Sequence, residues 1–323
     1  MLNALEDNYM DQNTTLHITN GSVLTKYLVA LEFKGEILTW EEMLCEGPTI
    51  EHINSDKFLD IRMNFLKEFY DVEVDFDKVR KDISVLDNIE NYTEIILWFE
   101  YDLFCHINLI GVINLLLQKK INLPLFLVCS GRIHGVNELK GLAELSSSQL
   151  TDHYDARVRL TADDKDLART IWQLYNGKDH NLIKPYIVKH SSFEYLSNCL
   201  KAHLQRFPHS ENGLSELELN ILRIIDRRDI HSRNHLMGYA LNFQGFYGYG
   251  DMQFERLINR LSMFYKEEEH SLTLNDDGKK ALNAEANYEN DIRDTLVYGG
   301  VKKKDFNFNV KLNKLVNSVN YGD

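Results

Sequence analysis

The sequence predicts an α/β protein in three parts. These are a Rossmann-like parallel-sheet domain over residues 14–135, a helical connecting segment over 136–210, and a winged-helix-like domain with a terminal hairpin over 211–323. Two runs carry the sheet. Glu94-Ile95-Ile96-Leu97-Trp98-Phe99 is apolar at every position after Glu94 and bounded by polar residues, as in a strand covered on both faces. Leu123-Pro124-Leu125-Phe126-Leu127-Val128-Cys129 repeats the pattern, with Pro124 at the entry where no ladder donor is missed. Residues 103–118 between them read as a helix, so strand, helix and strand alternate at the spacing of parallel units. The third observation is a change of pattern beyond Pro208 and Gly213, where amphipathic helices replace buried runs.

Taken in order, Leu16-His17-Ile18-Thr19 is a first strand, Asn20-Gly21 a turn, and Ser22 opens a helix running to Leu28. Glu36-Ile37-Leu38-Thr39-Trp40 is a second strand, which enters the loop Glu41-Glu42-Met43-Leu44-Cys45-Glu46-Gly47-Pro48. Residues 55–87 interleave charge with Phe58, Leu59, Ile61, Phe65, Leu66 and Phe69 at helical spacing. Helices follow over 146–154, 161–175 and 193–207, with Ser191 or Ser192 as an expected N-cap. Beyond Gly213 come helices over 214–225 and 232–241, then a third capped by Asp251 and running to about residue 264. Leu272-Thr273-Leu274 is a short strand with Glu267-Glu268-Glu269 at the hairpin tip, and Lys279 lies in another helix. Lys302-Lys303-Lys304 reads as a solvated turn before a terminal hairpin of residues 306–310 and 314–316.

Composition bounds the function classes. The chain has 323 residues, a length for about two domains. Its 36 Lys+Arg against 49 Asp+Glu leave a formal charge of −13. That is the wrong sign for a protein whose whole surface coats nucleic acid or anionic lipid. Cys45, Cys105, Cys129 and Cys199 show no metal-ligand spacing and no disulfide framework, so they read as reduced thiols of a cytoplasmic protein. Residues 1–13 carry Glu6, Asp7 and Asp11 and lack the pattern of a signal peptide. The longest apolar run, 107–117, contains Asn108 and Asn114 and is shorter than the ~20 residues of a membrane span, so no membrane partner is expected.

In an open parallel sheet, ligands bind beyond the carboxyl ends of the strands. Three such positions stand out. Asn20, Gly21 and Ser22 form a tight turn into a helix whose free N–H groups suit an anion. Glu46 and Gly47 follow the second strand, and Glu100 and Asp102 follow the central one, with Cys105 and His106 a helical turn later. Paired carboxylates there can hold a divalent metal such as Mg²⁺ and align a phosphate, with His106 moving a proton. Plainer roles are Asp102 as a helix cap, Glu100 paired with a basic side chain, and His106 as a packed core residue. The phosphate signal lacks both G-x-G-x-x-G and the P-loop pattern, which disfavours nicotinamide dehydrogenases and P-loop enzymes.

On the third C-terminal helix, Phe254, Leu257, Ile258 and Leu261 make a core stripe. Gln253, Arg256 and Arg260 are expected on the outer face, suited to base edges and phosphates, though Glu255 lies among them. The same module equally serves protein contact.

The motifs Trp40-Glu41-Glu42-Met43-Leu44-Cys45-Glu46-Gly47-Pro48 and Leu97-Trp98-Phe99-Glu100-Tyr101-Asp102-Leu103, with Leu16 to Gly21 and Asn212-Gly213-Leu214-Ser215, together resemble a bacterial two-domain family of unknown function. Ser22 stands where that family has Asp, and Cys105-His106 where many of its members have Asp-Gln. The resemblance implies no activity and gives weight to the three loops as a set. The leading expectation is an α/β domain that binds a phosphorylated or nucleotide-like ligand, with or without catalysis. Its rival is a non-enzymatic regulator acting through the C-terminal module on DNA or protein.

Overall fold

A computed structural model of the chain describes residues 15–318 apart from 134, 137 and 293; the reading of residues 1–13 falls outside these. The chain begins β1 (Thr15–Asn20), α1 (Ser22–Ala30), β2 (Glu36–Trp40), β3 (Gly47–Pro48), α2 (Asp56–Tyr70), α3 (Phe76–Ile83), β4 (Glu94–Phe99), α4 (Leu103–Gln118) and β5 (Leu125–Cys129). Next come α5 (Ser147–Asp155), β6 (Val158–Arg159), α6 (Ala162–Tyr175), α7 (Lys184–Ile187) and α8 (Leu196–Gln205).

The central sheet has the order β2-β1-β4-β5-β6, parallel throughout except for β6 at the edge. Counted within the sheet this is 2-1-3-4-5, one of the two common doubly wound orders, and the direction of winding reverses between β1 and β4. The central strand shows why its sequence is apolar throughout. Ile95, Leu97 and Phe99 enter a large core, while Ile96 and Trp98 enter a smaller one with Leu24 and Leu28 of α1 and Leu150 of α5. Burying these five side chains contributes on the order of 10 kcal/mol against the entropy of ordering the strand.

Helix α4 is apolar almost all round and correspondingly buried from Leu103 to Leu116, apart from the half-buried Phe104. Its two asparagines are buried too, and both are satisfied. The Asn114 amide donates to the Ile110 and Ala168 carbonyls at 2.8 and 3.1 Å, tying α4 to α6.

The remainder is α9 (Glu216–Arg227), α10 (Arg233–Asn242), α11 (Asp251–Arg260), the β7 (Tyr265–Glu268)–β8 (Ser271–Leu274) hairpin and α12 (Asp276–Leu282). Small strands follow: β9 (Val297–Gly299), β10 (Val301–Lys302), β11 (Phe306–Asn309) and β12 (Lys314–Asn317). Three helices and a hairpin thus occur where expected. The strands beyond α12 form small separate sheets, β11 pairing with β12 as the terminal hairpin. Gly47-Pro48 is not simply loop, because it pairs in parallel with β9. One apolar cluster includes side chains from all three predicted parts, from Leu16 to Leu315.

Two expected caps differ. Helix α8 starts at Leu196 with neither serine at its cap; Ser192 instead donates from its N–H and hydroxyl to the Asp164 carboxylate. Helix α11 is capped at Gly250, whose N–H donates to the Gln253 side chain at 3.0 Å, and Asp251 is the first residue inside.

Candidate metal and ligand site at the strand ends

The winding reversal sets the carboxyl ends of β1 and β4 side by side, the place where open parallel sheets bind ligands, and both strands deliver polar side chains there. Asn20, the last residue of β1, donates its amide to the Cys105 Sγ at 3.0 Å and accepts from the Asn108 amide at 2.8 Å. Asn108, wholly buried on α4, also donates to the Glu42 carbonyl at 2.6 Å and accepts from the Leu44 N–H at 3.0 Å. One side chain therefore braces the loops after β1 and β2 against α4.

Glu100 and Asp102 follow β4. Asp102 caps α4, its Oδ1 accepting from the Cys105 N–H at 2.8 Å, so its plainer role is real. Glu100 has no basic partner among the described residues; its Oε1 accepts from the Leu142 N–H at 2.7 Å. A side chain at Gly141 would sit 2.8 Å from that oxygen, so the missing Cβ makes room for the carboxylate. One potential ligand atom each from Glu100, Asp102 and Cys105 lies within 4.8 Å of the other two.

The electrostatics are those of buried acids without a counter-charge. Burial, then the neighbouring Asp102, pushes the Glu100 carboxyl up to about 7. Burial raises Asp102, and burial followed by the two carboxylates drives the Cys105 thiol well up. A divalent cation reverses all three by favouring the charged forms.

A distant segment packs over this corner of the sheet. The Leu103 and Phe104 N–H groups, in the first turn of α4, donate to the Phe246 and Tyr247 carbonyls at 2.8 and 3.2 Å. Gly248 then lies against Asp102. Its φ of +69° favours glycine, and a Cβ there would overlap the Asp102 carboxyl.

Several expected members stand elsewhere or act differently. Gly21 takes φ +94°, its N–H donates to the Trp40 carbonyl, and the space over its Cβ position is open; Ser22 begins α1 beside it. Glu46 is no part of this site. It is buried, accepting from the Tyr70 hydroxyl and from Arg256 at 3.0 Å. Its loop wraps Arg62, which donates to the Met43 and Glu46 carbonyls at 2.9 and 2.7 Å. Gly47 has φ +83°, and a Cβ would enter the Phe65 ring, so this glycine serves packing and not ligand approach. His106 is 1% exposed, and burial lowers its pKa to about 4. Its Nδ1 donates to the main-chain carbonyl of Asp102, not the carboxylate, and Nε2 has no partner among the described residues. A proton shuttle at His106 is therefore corrected to a neutral core histidine.

The nucleic-acid face is also corrected. The core stripe on α11 is as expected, but Gln253, Arg256 and Arg260 point inward. Arg256 pairs with Glu46 at 3.0 Å and Asp294 at 3.6 Å, while Arg260 pairs with Glu218 and Asp294. Lys303, expected in solvent, is 4% exposed and completes the network at 3.3 Å from both Glu218 and Asp294. These cations neutralise buried carboxylates. The exposed residues of α11 are Asp251, Met252, Glu255 and Asn259, a face that repels phosphate.

Cys105 stands where the sequence placed it, though with no ligand role expected of it, and Asn108, Gly141 and Gly248 complete the site without having been assigned to it. The signal available for Asn108 was its polarity in an otherwise apolar helix, since a buried amide must find partners. Scanned against protein-family models the chain matches none, and a search of the curated proteins finds no match either.

Proposed function

We propose that the chain binds a divalent cation through Glu100 and Asp102, with Cys105 in reach, and a small phosphorylated or nucleotide-like ligand between that cation and the Asn20-Gly21-Ser22 turn. One observation carries the reading: desolvated acids converge at the winding reversal with no basic side chain paired to them among the described residues. The other buried carboxylates of the ion network have arginine or lysine partners. Two oxygens suit Mg²⁺ or Mn²⁺, and release of the Cys105 proton shifts preference towards Zn²⁺. The open space over Gly21 gives the phosphate room beside the α1 N–H groups. In this reading α9–α11 with the β7–β8 hairpin form a winged-helix-like body that clamps the site, and the likeness to the two-domain family extends to these same loops.

The test is calorimetric titration of chelator-treated protein with Mg²⁺, Mn²⁺ and Zn²⁺, followed by labelled nucleotides with and without the cation. Binding to the parent, lost in Glu100→Gln and altered in metal preference by Cys105→Ser, supports the reading. Equal binding by parent and Glu100→Gln removes it, leaving the α/β part as a scaffold.

A further inference from the structure

Beyond the end of β5, the turn Ser130-Gly131-Arg132 borders a second cleft of about 400 Å³ that the cation site does not use. That volume lies in the range of small-molecule pockets. Asp152 and His153 of α5 line one side, and Glu194 and Tyr195 the other. The floor is held in place: the Arg132 N–H donates to the Tyr195 hydroxyl oxygen at 3.0 Å, and a Cβ at Gly131 would collide with the Tyr195 ring.

Ser130 is 1% exposed and lines this cleft, yet its hydroxyl has no hydrogen-bond partner among the described residues. A buried hydroxyl left unmade costs about 1–3 kcal/mol, a cost that a bound polar group removes. The His153 Nδ1 donates to the Gln149 carbonyl at 2.8 Å, which leaves Nε2 as the ring's acceptor. Arg132, Asp152 and Glu194 form no ion pair among the described residues, although all three border the same space.

One guanidinium and two carboxylates thus stand exposed at the rim without an ion pair among the described residues, Glu194 holding only the Tyr195 hydroxyl, and they favour a ligand of mixed charge. A phosphate meets two like charges, and a simple amine leaves the guanidinium opposed. A small molecule with both signs satisfies the set. We propose that this cleft binds a free α-amino acid, its carboxylate on Arg132 and its ammonium between Asp152 and Glu194, with Ser130 and His153 meeting polar atoms of the ligand. The inference stands on groups separate from Glu100 and Asp102, so either site can fail without the other.

The experiment uses the full chain and a panel of L-amino acids, with their decarboxylated amines, their N-acetyl derivatives and inorganic phosphate as controls. Binding is followed by thermal shift at about 10 mM ligand and then by calorimetry. At least one free amino acid is expected to raise the melting temperature while its amine and N-acetyl forms do not. Arg132→Ala and Asp152→Asn, both at exposed positions, abolish the shift and leave the free protein's melting temperature unchanged. Ser130→Ala weakens binding about tenfold, the worth of one hydrogen bond, without lowering the stability of the free protein. The proposal is overturned if no amino acid binds, if phosphate binds and amino acids do not, or if Ser130→Ala destabilises the free protein and leaves affinity unaltered.

Discussion

Glu100→Gln removes a charge that the fold disfavours, and the effect on stability has a definite sign. The folded protein holds the Glu100 proton up to about pH 7, whereas the ordinary value is 4.5. Between those values the native state binds more protons than the unfolded chain, so the contribution is fully present below pH 4.5 and lost as pH rises through 7. A gap of about 2.5 units at 1.36 kcal/mol each makes the loss about 3 kcal/mol by pH 8. Glutamine keeps an oxygen for the Leu142 N–H and places an amide beside the Asp102 carboxylate. In urea unfolding followed by circular dichroism, with chelator present, the variant is therefore expected to match the parent near pH 4.5. It is expected to exceed the parent by about 1–3 kcal/mol at pH 8. Added divalent cation should narrow the gap by stabilising the parent alone. A difference of the same size at both pH values, or a variant weaker than the parent at pH 8, refutes the electrostatic reasoning.

The acid limb runs the other way and reads most clearly in the Glu100→Gln background. His203 Nε2 bonds His180 Nδ1 at 2.8 Å, and His180 Nε2 in turn meets the Tyr175 carbonyl, so both rings are held neutral. Burial lowers His180 from 6.5 to about 4, and stability should fall by about 3 kcal/mol as pH drops through that window; an unmoved urea midpoint excludes it. Arg260→Met strands the Glu218 and Asp294 carboxylates beside Lys303 and should cost about 3–5 kcal/mol in the same assay, with little relief from molar salt. Gly248→Ala imposes a left-handed φ and a clash with Asp102, costing at least about 2 kcal/mol. Hydrogen exchange at the Leu103 and Phe104 amides should accelerate in that variant, and unchanged exchange counts against the clamp.

What the sequence disclosed follows physical lines. Glu94–Phe99 was legible to the residue because both its faces are buried, so every position carries the signal. The strand Val158–Arg159 was not, since both side chains are exposed and only its pairing with β5 defines it. Gly47-Pro48 pairs with a segment some 250 residues on, which no local pattern encodes. Asn20, Glu100 and Asp102 were legible from the strand-end rule alone. Arg256 and Arg260 misled because helical periodicity marks the core side of a helix but says nothing of what covers its flanks, and Lys303 because a run of three lysines reads as solvent-facing whatever packs over it. Their carboxylate partners come from separate segments, with Glu46 as distant as the loop after β2.

The carbonyls of Phe246 and Tyr247 cap a helix begun some 140 residues earlier. During synthesis from the N-terminus, the opening turn of α4 must wait for that late segment before its amides are satisfied. The site is thus among the last places to mature, and a nascent chain halted near residue 210 would carry its acids without their cover. A ligand seated there would bear directly on whether the first turn of α4 and the segment around Tyr247 stay joined.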